Sequence, residues 1–255
     1  MNEFQGPLSS APAARSPVSV VLVHGAFENS SSWSKVIAIL QKCGVNVVAV
    51  QNPATSLAAA VQNTRRVIES QDGAVVLVGH SFGGVVITEA GNDDRVRALV
   101  YVAAASPDSG QSGLDEAAAY PKPALLSHLF VDGQGFAYAT EQGMRDLAQD
   151  LPKAERDILM ATQGPIALSA FEDKVTYAAW LDKPVWSVVA DNDQAISPQE
   201  QTDAALRMKA KVRHVNSSHL VMLSAPEQVA EVILEAYRVV GDGSDRVAPP
   251  ALSGT

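Results

Sequence analysis

The feature that most constrains this chain is an apolar run that ends in a glycine-flanked serine and restarts at once as a second apolar run. Val75-Val76-Leu77-Val78 leads into Gly79-His80-Ser81-Phe82-Gly83-Gly84, and Val85-Val86-Ile87 follows. The first run is short, continuous and β-branched, which reads as a strand buried on both faces. The second opens an apolar helix from near Ser81 to Ala90. Joining the two within so few residues demands a sharp turn, and G-x-S-x-G is the pattern in which such a turn carries a nucleophilic serine on a strained backbone. The glycines leave room for close backbone approach. The turn lifts the hydroxyl clear of the sheet and brings a helix N-terminus beneath any oxyanion that develops there. Five residues alone match often by chance; the strand before and the helix after make the match specific. A dinucleotide-binding turn does not fit, because Ser81 stands where that motif needs its middle glycine and no acidic residue ends the next strand.

The same strand–helix rhythm extends in both directions. Strands are predicted at Val18 to Val23, Val45 to Val50, Ala74 to Val78 and Leu99 to Ala103. Helices are predicted at Ser32 to Lys42, with Trp33, Val36, Ile37 and Leu40 on one face and Gly44 as C-cap, and at Ser56 to Ser70, with Leu57, Val61, Thr64 and Ile68 inward. From Pro107 to Lys183 the rhythm breaks into short apolar clusters and scattered prolines, read as a helical insertion in which Pro152 opens one helix through Thr162. It resumes with strand Val185 to Ala190, helix Pro198 to Lys209, strand Lys211 to Val215 and helix Pro226 to Val240. The expected architecture is α/β: a mostly parallel sheet of about six strands flanked by helices, with a helical cap (about 107–183) inserted after the fourth visible strand. The domain is expected at 18–240, after a flexible N-terminal segment 1–17 and before a disordered tail 241–255.

Composition bears on partners more than on fold. The 255 residues are 47% hydrophobic and 18% charged, as in a globular domain. With 19 basic against 28 acidic residues the net charge is -9, which gives no electrostatic reason to bind nucleic acid or anionic lipid. No stretch is long and apolar enough to span a membrane, and Met1 to Pro17 lacks the apolar core of a signal peptide. The single cysteine, Cys43, excludes an internal disulfide and is expected as a small buried residue. These readings together lead to the expectation of a cytoplasmic protein. Oligomeric state stays open, a homodimer included.

A serine nucleophile needs a base and an acid. In the fold that displays its serine this way, the chain order is serine, acid, histidine. Of the five histidines, only His214 and His219 lie beyond a strand-end acid. His214 falls within a strand, whereas His219 follows Asn216-Ser217-Ser218 in a loop that can reach the rim where Ser81 is displayed. His24 and His80 read as structural neighbours of the turn, and His128 as a cap residue, on the surface or in the pocket. The acid belongs just after strand Val185 to Ala190. Asp193 matches the usual G-x-x-D spacing, with Ala190 in place of glycine, and Asp191 is the alternative. A second oxyanion donor is expected from His24-Gly25-Ala26-Phe27: Gly25 lets the chain turn so that the Ala26 N–H faces the substrate, opposite the Phe82 N–H.

Val-His-Gly-Ala at 23 to 26, Val-Gly-His-Ser-Phe-Gly-Gly at 78 to 84, Asp193 with Ala195-Ile196, and Ser-His-Leu-Val-Met-Leu-Ser-Ala-Pro at 218 to 226 resemble the plant methylesterase and hydroxynitrile lyase branch of the α/β-hydrolases and its bacterial esterase relatives. The resemblance implies an α/β-hydrolase fold, hydrolysis of small carboxylic esters through Ser81, His219 and Asp193, oxyanion donors at Ala26 and Phe82, and neither cofactor nor metal. It also implies a cap over an apolar pocket, for which Phe27, His128, Trp180 and Leu220 are candidate lining. Two departures separate the chain from the lyases: Leu220 replaces the lysine they carry after the histidine, and Gly25 replaces a threonine. Alternatives that keep the same residues are lyase or C–C bond chemistry, and a receptor-like binder with little turnover.

Overall fold

The computed structural model describes residues 18–243. Six strands form one parallel sheet: β1 (Val18–Val23), β2 (Asn46–Val50), β3 (Ala74–His80), β4 (Val96–Val102), β5 (Val185–Ala190) and β6 (Lys211–Val215), in the order β2-β1-β3-β4-β5-β6. Every residue of β1 and β5 is buried, and β3 is buried from Val75 onward. Side chains such as Leu22 and Leu77, fully enclosed, contribute about 1.5–3 kcal/mol each. The edge strand β6 exposes Lys211 through His214, and such charges discourage pairing with another chain.

Five helices flank the sheet: α1 (Ser34–Lys42), α2 (Leu57–Glu69), α3 (Phe82–Ala90), α4 (Pro198–Arg207) and α5 (Pro226–Gly241). α1 packs on α5 and α2 on α3, while α5 also runs across β1, β3, β4 and β5. Local chemistry sets their ends. The Ser56 hydroxyl accepts the Ala59 N–H at the start of α2, and Gly44 takes a φ of 76° just past α1. Cys43 differs from expectation: as the C-cap of α1 it is exposed rather than buried. α5 runs to Gly241, one residue past its expected end. Segment 1–17 and the tail from 244 lie outside the described residues. No described helix is long and apolar enough to cross a membrane.

The insertion between β4 and β5 is not purely helical. Besides the helices Gly113–Ala117, Glu141–Leu147 and Lys153–Thr162, it holds a three-stranded antiparallel sheet from Leu129–Val131, Phe136–Ala139 and Ile166–Ala167. A tight turn, with Gly135 at φ 82°, joins the first two strands. Strands of two to four residues are too short for an alternating pattern to stand out in sequence.

Candidate active site

The carboxyl ends of the strands lie level. Val23 pairs with Gly79, His80 with Val102, and Ala190 with Val215. The loops after β1, β3, β5 and β6 therefore open on one rim, and each supplies a candidate residue.

Ser81 sits between β3 and α3 with φ 53° and ψ −124°, a conformation that costs a non-glycine residue about 1–3 kcal/mol. Backbone hydrogen bonds hold it there: its N–H donates to Val102, and its carbonyl accepts from Gly84 and Ala105. Phe27 and Ala103, at neighbouring strand ends, also have positive φ. The turn is packed tightly from behind, since a Cβ on Gly83 would lie 2.6 Å from the Val23 carbonyl oxygen. Gly25 is as confined: a Cβ there would lie 2.6 Å from Ser81 Cβ and 3.0 Å from both Glu28 Oε1 and His80 Nδ1. A threonine has no space at this position.

His219 Nδ1 lies 2.6 Å from Asp193 Oδ2, and both side chains are almost wholly buried. Asp193 is saturated with donors. Oδ1 accepts the N–H groups of Ala195 and Ile196, and Oδ2 also accepts from Gln201 Nε2 at 2.7 Å. With only donors around it, the carboxylate accepts the Nδ1–H hydrogen bond of His219 and leaves the Nε2 lone pair free. Asp191 is placed elsewhere: it meets His214 at 2.8 Å on the exposed edge of the sheet. Asp150 accepts from the Ser218 N–H and hydroxyl, anchoring the loop just before His219.

Two further histidines brace this rim. His24 Nδ1–H donates to the Gly25 carbonyl, and Nε2 accepts the Asn52 N–H. That pairing needs the neutral ring, and burial accordingly lowers the His24 pKa. His80 does the opposite. Its Nε2 donates to the His219 carbonyl at 2.9 Å, and its Nδ1 lies 2.8 Å from Oε1 of fully buried Glu28. Burial, the largest single influence, opposes charge on both groups, yet each partner's charge outweighs it: the Glu28 pKa is lowered and that of His80 raised. A buried ion pair thus stands behind the serine turn and grips the backbone of His219. Glu28, Gln201 and Asp150 escaped sequence reasoning; Gln201, a polar residue on the inward face of α4, carried the only usable signal.

Ser81 and His219 line a common cavity of about 190 Å3, together with Ala26, Phe27 and Phe82 from the rim and Leu125, Leu147 and Phe171 from the cap. No hydrogen bond joins Ser81 Oγ to the His219 ring among the described residues; catalytic hydrogen bonds often tighten only around substrate. Phe82 begins α3, so its N–H has no intrahelical acceptor. Of the four expected lining residues only Phe27 lines the cavity. His128 turns to Asp146 at 2.6 Å, Trp180 packs under Arg207 and donates to Pro107, and Leu220 is buried in the core. Aromatic or apolar character alone does not tell a pocket wall from a core position. A larger groove of about 660 Å3 runs along α2 past Arg65, Arg66 and Glu89, and contains none of these rim residues.

Fold and site together define a hydrolase of the kind that displays its serine on a strand–helix turn. The chain belongs to the alpha/beta hydrolase family, which it matches over residues 20–232, and is an enzyme of that family. It is 28% identical to "Probable hydrolase R7" of Phoma sp. (strain ATCC 20986 / MF5453), over 85% of this chain and 96% of that protein. It is 32% identical to Methylesterase 2 of Arabidopsis thaliana, over 36% of this chain and 41% of the other. A pyrethroid hydrolase from Sphingobium faniae JZ-2 shares the fold, with a TM-score of 0.73 at 19% identity, covering 88% of this chain and 99% of the other.

Proposed function

We propose that the protein hydrolyses small, mainly apolar carboxylic esters through a Ser81–His219–Asp193 triad and an acyl-enzyme. The observation that carries this reading is the buried 2.6 Å contact between His219 and Asp193, at the wall of an apolar cavity shared with a serine on a strained turn. His219 Nε2 takes the Ser81 proton as Oγ bonds to the ester carbonyl carbon. The oxyanion is held by the Ala26 and Phe82 N–H groups, each worth about 3 kcal/mol. Collapse breaks the bond to the leaving alcohol, which takes the proton from His219. Water then attacks the acyl-enzyme with His219 again as base, releasing the acid and restoring Ser81. The small cavity favours compact esters. The crowding at Gly25 and the burial of Leu220 in the lysine position weigh against the lyase alternative, and esterase-named relatives weigh for hydrolysis.

The test is turnover of a short nitrophenyl ester together with labelling by a serine-directed phosphonate. Wild type is expected to do both. Ser81→Ala should do neither while melting normally. Undiminished turnover in that variant refutes the assignment, and a wild type that binds esters without turning them over favours a receptor.

A further inference from the structure

The cavity beside Ser81 contains one ionisable side chain that the chemistry above leaves unused. Glu200 lies in the first turn of α4, is 5% exposed and lines the cavity. Apart from Ser81, His219 and Glu200, the lining residues are all apolar or glycine. No described residue hydrogen-bonds the Glu200 carboxyl. Its neighbour Gln201 turns away to Asp193, and the nearby cation is already engaged: Arg207 donates to Glu116 and to the Ser106 carbonyl and lies 3.6 Å from Asp108. The charged groups around Glu200 are thus Glu116 from the cap, Asp193 from the β5 loop and Arg207 from its own helix. Burial first, then repulsion by Glu116 and Asp193, outweigh Arg207 and push the Glu200 pKa up to about 8. At neutral pH the group is a carboxylic acid, with an O–H to donate and nothing beside it to receive it.

The Glu200 oxygens are not among the wholly enclosed polar atoms; they open on the cavity, where no described side chain answers them. We propose that Glu200 is a specificity-determining residue whose carboxyl O–H donates a hydrogen bond to an acceptor atom, an ether, carbonyl or aromatic-nitrogen lone pair, that the ester carries away from its scissile carbonyl. The inference rests on the ester-hydrolase reading and narrows it to apolar esters bearing one such buried acceptor. A site built to hydrogen-bond its substrate rejects the hydrocarbon analogue because the site's own polar group is then left unpaired.

The experiment compares isosteric pairs that differ in one acceptor: the methyl esters of benzoic acid and the three pyridinecarboxylic acids, and methoxy- against ethyl-substituted benzoates. The readout is the ratio of kcat/KM within each pair, at pH 7 and pH 9. Wild type is expected to favour at least one acceptor-bearing member by about 10–100-fold at pH 7, and to lose that preference through a midpoint near pH 8. Glu200→Gln, whose amide still donates, should keep the preference at both pH values. Glu200→Leu should abolish it and improve turnover of the plain hydrocarbon esters. Equal ratios in wild type and Glu200→Leu overturn the proposal, as does a Glu200→Gln enzyme that behaves like Glu200→Leu. Absence of turnover and of phosphonate labelling in the wild type sinks the ester-hydrolase reading instead. A labelled, active enzyme with flat ratios sinks only the role of Glu200.

Discussion

Adding one methyl group at Gly25 should cripple turnover more than it unfolds the protein. The new Cβ of Gly25→Ala would stand 2.6 Å from Ser81 Cβ, whereas carbon atoms rest about 3.5 Å apart. Roughly 0.9 Å must therefore be found. The serine turn cannot easily supply it, because Gly83 already abuts the backbone of Val23 and Ser81 is tied to Val102 and Ala105. Movement of the 25–28 loop would instead carry off the Ala26 N–H and press on Glu28 and His80, each 3.0 Å from the new atom. A displacement near 1 Å at reacting groups costs about 100-fold in rate, and overpacking costs about 1–3 kcal/mol of stability. The assay is kcat and KM on a nitrophenyl ester alongside thermal melting, with the fall expected in kcat. Gly113→Ala is the control, since its added Cβ meets only Val85 Cγ2, at 3.4 Å, on the same cavity wall. A Gly25→Ala enzyme with wild-type kcat and an unshifted melting temperature would refute the reasoning. Gly25→Thr, which restores the lyase-type residue, should be worse still and should not introduce cyanohydrin cleavage.

Three further outcomes follow from buried carboxylates. Asp193→Asn should lower kcat by about 10,000-fold by favouring the wrong imidazole tautomer, while Asp191→Asn, whose partner is the exposed His214, should stay within about threefold by the same kinetic assay. Glu28→Gln removes one member of a buried pair and should cost about 3–5 kcal/mol in denaturant unfolding. The lowered Glu28 pKa makes its contribution complete above the ordinary 4.5 and lost as pH falls through the folded value. The raised His80 pKa makes its contribution complete below the ordinary 6.5 and lost as pH rises through the folded value. The deficit of the variant should thus be largest between pH 4.5 and 6.5, and a pH-independent deficit contradicts the ion pair. Glu200 carries the opposite sign: it keeps a proton in the folded state that the unfolded chain releases, so wild-type stability should decline as pH rises from 4.5 to about 8, by at most about 5 kcal/mol. Glu200→Gln should flatten that slope in melts taken across the range, and an unchanged slope removes Glu200 as its source.

What the sequence discloses and what it hides divide along a physical line. β1, β3, β4 and β5 are continuous apolar runs because both faces of a covered parallel sheet are dry, so their positions are legible to within a few residues. The serine turn is legible because its glycines answer to local steric demands, and the separation of His219 from His214 because a strand and a loop differ in reach. The cap sheet is hidden, since its strands are too short to show a period, and so is the orientation of Trp180 and Leu220, which turn to the core rather than the cavity. The deepest omission is Glu28 and Glu200. Acidic residues are mostly exposed, and nothing in the spacing of Glu28 or Glu200 marks an exception. Their burial is a property of the assembled rim: Glu28 is enclosed only once His80 reaches it from β3, and Glu200 only once the cap closes over α4. Both carboxyls carry an electrostatic cost that an apolar side chain of similar size would avoid. Glu28 offsets its cost through His80. For Glu200 the pull of Arg207 is outweighed by burial and by Glu116 and Asp193, so the carboxyl keeps its proton, and the proposed substrate hydrogen bond is what would offset the remaining cost.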